Sequence, residues 1–162
     1  MTKEDRGHYA KKHSPGREVN TTLAGEVGKR AGNGKMACAV AFDIAENLGV
    51  SPAEVGFTLD MLEIRLIKCQ LGLFGYGSGK KIAQATENMP ESLEKAIRAE
   101  VSGENLSCAT AWRIAGEFRI GKMKVSSACE ALGIKIKPCQ LGAFEFPAMY
   151  GACGRCRLPP TN

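Results

Sequence analysis

Apolar residues recur at helical spacing in three successive segments, and all three segments appear again 70 residues later. Such stripes are typical of amphipathic helices that bury one face. In the first copy the three predicted stripes are Leu23 and Val27; Ala41, Ile44, Ala45 and Leu48; and Val55, Leu59 and Leu62. The segment from Ile64 to Phe74 follows the third helix and is rich in β-prone residues, which predicts an extended chain.

The second copy is an internal duplication. The tetrapeptide Cys-Gln-Leu-Gly stands at residues 69–72 and again at 139–142. The same shift, with no gap, places Leu23 on Leu93 and Val55 on Val125. A match held in phase over this length indicates a repeated structural unit. Because a unit of about 70 residues buries only ~60% of its unfolded surface, we expect the two units to pack on each other or to dimerise.

The junction between the second and third helices has a characteristic spacing. Ala45, Gly49 and Val55 are separated by three and then five residues. The small alanine lets two helices cross closely, the glycine supplies the positive φ of a tight turn, and the valine anchors the third helix. Ser51 followed by Glu54 predicts a capping box at the start of that helix.

This pattern resembles the winged helix-turn-helix family. We therefore predict a mainly α fold with small β-wings (α+β), built from two tandem winged helix-turn-helix units related by the 70-residue repeat. Unit 1 is expected over residues 20–89 and unit 2 over 90–146. A basic N-terminal arm, 1–19, has no periodicity and is expected to be mobile. Residues 147–162 form a tail that contains a Cys-x-x-Cys motif.

The second copy departs from the family pattern at one position. Arg119 stands where the first copy has Gly49. Either this arginine adopts a left-handed conformation, which costs ~1–2 kcal/mol, or the turn is rebuilt around Gly121.

Charge distinguishes the two copies. The net charge is +5, but residues 106–144 carry six Lys/Arg against two Asp/Glu, whereas residues 36–77 carry two against five. A basic surface suits a polyanion, and the resemblance implies that a third helix enters the major groove. We therefore expect unit 2 to contact DNA. The predicted DNA-binding residues are Lys122, Lys124, Ser126, Ser127, Arg113 and Arg119, with Lys80 and Lys81 at a glycine-rich tip.

Seven cysteines, an odd number, and a charged N-terminus without an apolar segment favour a reducing cytoplasm, with thiols that are buried, metal-bound or redox-active. Cys153 and Cys156 have a spacing that can share a metal such as zinc, but tetrahedral zinc needs four ligands. Cys139, Cys108 or His13 would have to complete the set. A redox dithiol and an unliganded tail remain alternatives, so no cofactor is assigned.

The sequence thus predicts a cytoplasmic DNA-binding protein, a transcriptional regulator whose partner is double-stranded DNA, with a homodimer as an open alternative. A protein-interaction module of tandem winged helices, or a metal- or thiol-responsive sensor, are the alternative functions. An enzyme is not expected, because neither histidine has a neighbouring Ser or Cys arranged as a nucleophile pair, and the glycine-rich segment fails the Walker A pattern. No apolar run approaches the ~20 residues of a membrane span.

Overall fold

A computed structural model describes residues 7–77 and 81–143. Within these ranges the chain is mainly helical and forms two similar units, each with three helices and a two-stranded sheet. Unit 1 comprises α1 (Thr21–Arg30), β1 (Lys35–Ala37), α2 (Cys38–Leu48), α3 (Pro52–Met61) and β2 (Arg65–Ile67). Unit 2 comprises α4 (Glu91–Glu100), β3 (Asn105–Leu106), α5 (Cys108–Glu117), α6 (Lys122–Ala131) and β4 (Lys135–Ile136). A short 3-10 helix, Tyr9–Lys12, precedes unit 1. None of the helices in these ranges is long and apolar enough to cross a membrane.

Side-chain caps fix the starts of several helices. The Asn20 side chain accepts a hydrogen bond from the Leu23 amide at the start of α1. The predicted capping box at α3 is confirmed, since the Ser51 hydroxyl accepts from the Glu54 amide and the Glu54 carboxylate accepts from the Ser51 amide. These bonds satisfy amides that have no partner within the helix, so the boundaries are set by local sequence.

The two small sheets tie the third helix of each unit to its second helix. β1 pairs with β2 in parallel, with Met36 opposite Leu66, and β3 pairs in parallel with β4. The prediction of an extended chain from Ile64 to Phe74 is wrong beyond Ile67, because β2 ends at Ile67 and the chain then reverses. The amide of Cys69 donates to the carbonyl of Phe74 at 3.1 Å, and positive φ values at residues 68, 72 and 75 produce the reversal.

The two hydrophobic cores exchange the repeated Cys-Gln-Leu-Gly loops, residues 69–72 and 139–142. Leu71 is 1% exposed and lies in the core of unit 2, together with Cys69. Its equivalent Leu141 is 2% exposed and lies in the core of unit 1. Each exchanged loop therefore completes the core of the other unit, as in the self-complementary interface of a twofold dimer.

The two units also meet at a pair of equivalent aromatic residues. The rings of Phe42 and Trp112, which are 70 positions apart, have centroids 4.2 Å apart with an interplanar angle of 38°. An aromatic pair in van der Waals contact adds stabilisation beyond the area it buries. Contact between a residue and its own copy is expected where two like units meet about a twofold axis.

The N-terminal arm is not a detached segment over its described part. The amides of Tyr9 and Ala10 donate to the carboxylate of Glu63 at 3.0 and 3.1 Å. His13 and Lys12 both contact the buried carboxylate of Asp60, on α3. The described part of the arm therefore lies against unit 1, because unit 1 offers two carboxylates to a segment that carries donors and cations.

Candidate nucleic-acid interface

Both units contain the predicted turn between their second and third helices. In unit 1, Gly49 has φ 62°, and the Val50 amide donates to the Ala45 carbonyl at 3.0 Å. In unit 2, the Ile120 amide donates to the Ala115 carbonyl at the same distance. The equivalent hydrogen bonds show that the two turns share one backbone geometry.

Arg119 adopts the left-handed conformation itself, with φ 53°. The turn is not rebuilt around Gly121, which has φ −63° and is the residue that precedes α6. A non-glycine residue in this region is strained. The Arg119 side chain is exposed, and none of the described residues forms a hydrogen bond or ion pair with its guanidinium group.

The lysines at the start of α6 differ in their surroundings. Lys122 is half-buried; its ammonium donates to the Gln70 side chain at 3.1 Å and lies 4.1 Å from the centre of the Trp112 ring. Lys124 is exposed, and its side chain makes no hydrogen bond or ion pair within the described chain. Lys122 therefore joins α6 to an exchanged loop, while Lys124 remains able to meet a ligand.

The two predicted serines do not face solvent as expected. Ser126 is 0% exposed, and its hydroxyl has no hydrogen-bond partner among the described residues. Ser127 is half-buried, and its carbonyl accepts from the Thr86 amide at 3.2 Å. The assignment of Ser126 to an outer face was wrong because helical spacing within one unit does not reveal the second packed side of α6.

In unit 1 the position equivalent to Ser126 is Gly56, and a Cβ atom there would lie 1.9 Å from the Leu141 carbonyl oxygen. This side of the third helix thus faces an exchanged loop. Glycine is required at position 56 because the backbone of that loop occupies the space of a side chain.

Of the remaining predicted cations, the two that the structure describes are paired. Arg113 forms ion pairs with Glu100 at 3.0 Å and with Glu117 at 2.5 Å. Lys81 pairs with Glu130 on α6. Lys80 lies outside the described residues. Among the predicted DNA-binding cations that the structure describes, Arg119 and Lys124 are thus the two exposed residues without a charged or hydrogen-bonding partner.

The third helix of unit 1 is closed on its outer side by the arm. Phe57 is 3% exposed, with the His13 ring at its edge and the Arg17 guanidinium 3.9 Å from its centre. Thr58 and Asp60 are also buried. The arm contacts Phe57 and Asp60. On α3 of unit 1, Glu54 near the start and Met61 at the end remain exposed.

The described cysteines are buried or half-buried free thiols. Burial raises the pKa of Cys38 to about 12 and the pKa values of Cys108 and Cys129 to about 11. Burial also raises the pKa of Cys139. At neutral pH these groups are thiols, and burial makes their thiolates harder to form.

The candidate metal ligands Cys153 and Cys156 both lie outside the described residues. Within residues 7–77 and 81–143, His, Cys, Asp and Glu side chains form no group of three or more that could hold a metal ion.

Comparison with known proteins gives no match to a family model, a curated protein or a solved structure.

Proposed function

We propose that this protein binds double-stranded DNA, as a regulator of transcription, and that the turn between α5 and α6 is its contact surface. The observation that carries the proposal is the conformation of Arg119. This residue is strained at a position where the sister unit has Gly49, and its guanidinium contacts no described partner. Strain without an internal contact is a reason to infer an external one.

Glu63 is another non-glycine residue with a positive φ, but its strain is offset by contacts within the molecule. It has φ 54°, whereas the equivalent Gly133 of unit 2 has φ 69°. Its carboxylate accepts hydrogen bonds from the amides of Tyr9 and Ala10, so contacts within the molecule offset the strain. Arg119 has no such compensation in the described chain.

The position of Arg119 suits a phosphate. Helix-turn-helix proteins place the start of the third helix in the major groove and meet the sugar-phosphate backbone around it. Lys124 adds a second exposed cation on the first turn of α6. Because Ser126 is buried and Ser127 is tied to the segment before α4, we infer mainly backbone contacts in this conformation. The chain reversal after β2 carries Leu71 into the core of unit 2, so it does not form an exposed wing.

The test is fluorescence anisotropy of a labelled duplex over a series of salt concentrations. The Arg119→Gly substitution should weaken binding and reduce the salt slope by about one, the change expected for one lost phosphate contact. It should also raise the free energy of unfolding by about 1 kcal/mol, because glycine relieves the left-handed strain. Opposite signs for affinity and stability would separate a lost contact from a damaged fold.

Lys29→Gln is the matched control, since it removes an exposed cation from α1 of unit 1. Its affinity and salt slope should remain close to those of the wild type. An affinity that Arg119→Gly leaves unchanged would contradict the assignment of the turn, and no binding at low salt would contradict DNA binding altogether.

A protein-interaction module is the second candidate, and one observation favours it. The outer side of α3 is covered by the arm, while Met61 and Leu62, at the end of the same helix, are 36% and 42% exposed. Adjacent exposed apolar side chains suit a protein surface better than a phosphate backbone. Absence of DNA binding together with concentration-dependent self-association would favour this candidate.

A further inference from the structure

Unit 2 contains a cavity of about 470 Å³ beside the proposed DNA contact. It lies between the segment 84–90, α4, the end of α5 and α6. The residues that matter here are the apolar Leu93, Phe118 and Ile120 and the polar Gln84, Lys124 and Ser127. Apolar walls with a few polar groups, in a volume of this order, are typical of small-molecule sites.

The sister unit shows why this space is open. The residue equivalent to Ser127 is Phe57, whose buried ring lies against His13 and Arg17. The residue equivalent to Lys124 is Glu54, whose carboxylate belongs to the capping box of α3. Two like backbones thus differ at the same site. Unit 1 has an aromatic ring and a carboxylate there, whereas unit 2 has a small hydroxyl and an ammonium group.

The polar groups of the cavity are available to a ligand. Lys124, Ser127 and Gln84 make no side-chain hydrogen bond or ion pair to another described residue. An ammonium group at the edge of an apolar cavity favours an anionic group on the ligand, since charge-assisted hydrogen bonds are the stronger ones. The hydroxyl and the amide can add neutral hydrogen bonds.

We propose that this cavity binds a small organic anion with an aromatic or branched apolar body. The anionic group pairs with Lys124, and the apolar body lies against Phe118 and Ile120. Binding does not depend on the proposed function. The effect of the ligand on DNA binding does rest on the proposed function. A ligand that neutralises Lys124 removes one of the two exposed cations at the turn, and so lowers the affinity for DNA.

The probe for the test is anilinonaphthalene sulfonate, an aromatic anion whose fluorescence rises in apolar surroundings. Titration of the full chain should give saturable binding of one molecule. Lys124→Met keeps the apolar stem and removes the charge, and should weaken binding roughly tenfold or more. Lys135→Met removes an exposed lysine outside the cavity and should leave the affinity unchanged.

Ser127→Phe introduces the residue of the sister unit and should abolish binding by filling the cavity. Circular dichroism would show whether this variant folds, and Lys124→Met decides the question if it does not. Wild-type protein without saturable binding, or an affinity that Lys124→Met leaves unchanged, would overturn the proposal. A chain that binds the probe but no DNA would contradict only the proposed function, and the reverse result would contradict only the cavity.

Discussion

Units 1 and 2 share their backbone and much of their core, yet they differ on the outer side of the third helix. In unit 1 the arm closes that side over Phe57, and Gly49 forms an unstrained turn. In unit 2 Ser127 opens a cavity, and Arg119 holds a strained, exposed cation. The two copies thus keep the positions that build the core and differ at positions on the outer side of the third helix. Core positions are constrained by packing from all sides, whereas surface positions are free to acquire new chemistry.

The comparison also shows that neither unit is complete alone. Leu71 and Leu141 each fill the core of the opposite unit. A unit of this size buries so little surface that it is only marginally stable by itself. The exchange therefore supplies each unit with apolar surface that its own sequence segment lacks.

The largest expected effect follows from this exchange. Leu141→Ala should lower the free energy of unfolding by about 2–5 kcal/mol, the usual range for a buried leucine. Hydrogen exchange should show the loss of protection in α1 to α3 rather than in the helices next to it in sequence. Leu71→Ala is the mirror experiment and should loosen unit 2. Loss of protection confined to the mutated residue's own unit would contradict the exchange.

A smaller but more specific effect is expected at Gly56. Glycine to alanine in a helix is ordinarily stabilising by about 1 kcal/mol. Here the added Cβ would lie 1.9 Å from the Leu141 carbonyl oxygen, so the Gly56→Ala variant should instead lose about 2–3 kcal/mol through overpacking. Chemical denaturation measures the difference.

Ser126→Ala is the matched variant in unit 2, because Ser126 is the equivalent of Gly56. It removes a buried hydroxyl that has no hydrogen-bond partner among the described residues, and should be neutral or stabilising by up to about 1 kcal/mol. A stabilising Gly56→Ala would show that the loop does not approach α3 as closely as described.

The smallest expected effect concerns Asp60, which ties the arm to unit 1. Burial raises its pKa above 3.8 by more than Lys12 and His13 lower it. The folded protein therefore holds this proton more tightly than the unfolded chain. The contribution of Asp60 to stability is greatest below pH 3.8 and is lost as pH rises through the raised pKa.

Asp60→Asn removes this titration and keeps the shape of the side chain. The stability of the wild type relative to Asp60→Asn should fall as pH rises through that window, measured by urea denaturation at each pH. A relative stability that rises with pH would mean that the ion pairs outweigh burial.

Much of the local structure was predictable from the sequence. The repeat, the approximate positions of the six helices, the cap at Ser51 and the turn at Gly49 are all confirmed. Each depends on residues close together in the chain, whose hydrogen bonds and backbone angles are formed wherever the segment lies. Periodicity also identified most of the core, but Leu48 and Leu62, both assigned to buried stripes, are 39% and 42% exposed.

The sequence by itself therefore determined a duplicated, mainly helical chain with a helix-turn-helix junction in each unit. Only the tertiary structure decided that Leu71 and Leu141 exchange cores and that Phe42 contacts Trp112. It also decided that the arm covers part of α3 in unit 1, whereas α6 in unit 2 borders a cavity. The physical reason is that the hydrophobic effect is not directional. An apolar side chain gains the same free energy whether its own unit or the neighbouring unit buries it. Its pattern reveals that it will be covered, and the packing of distant segments determines what covers it.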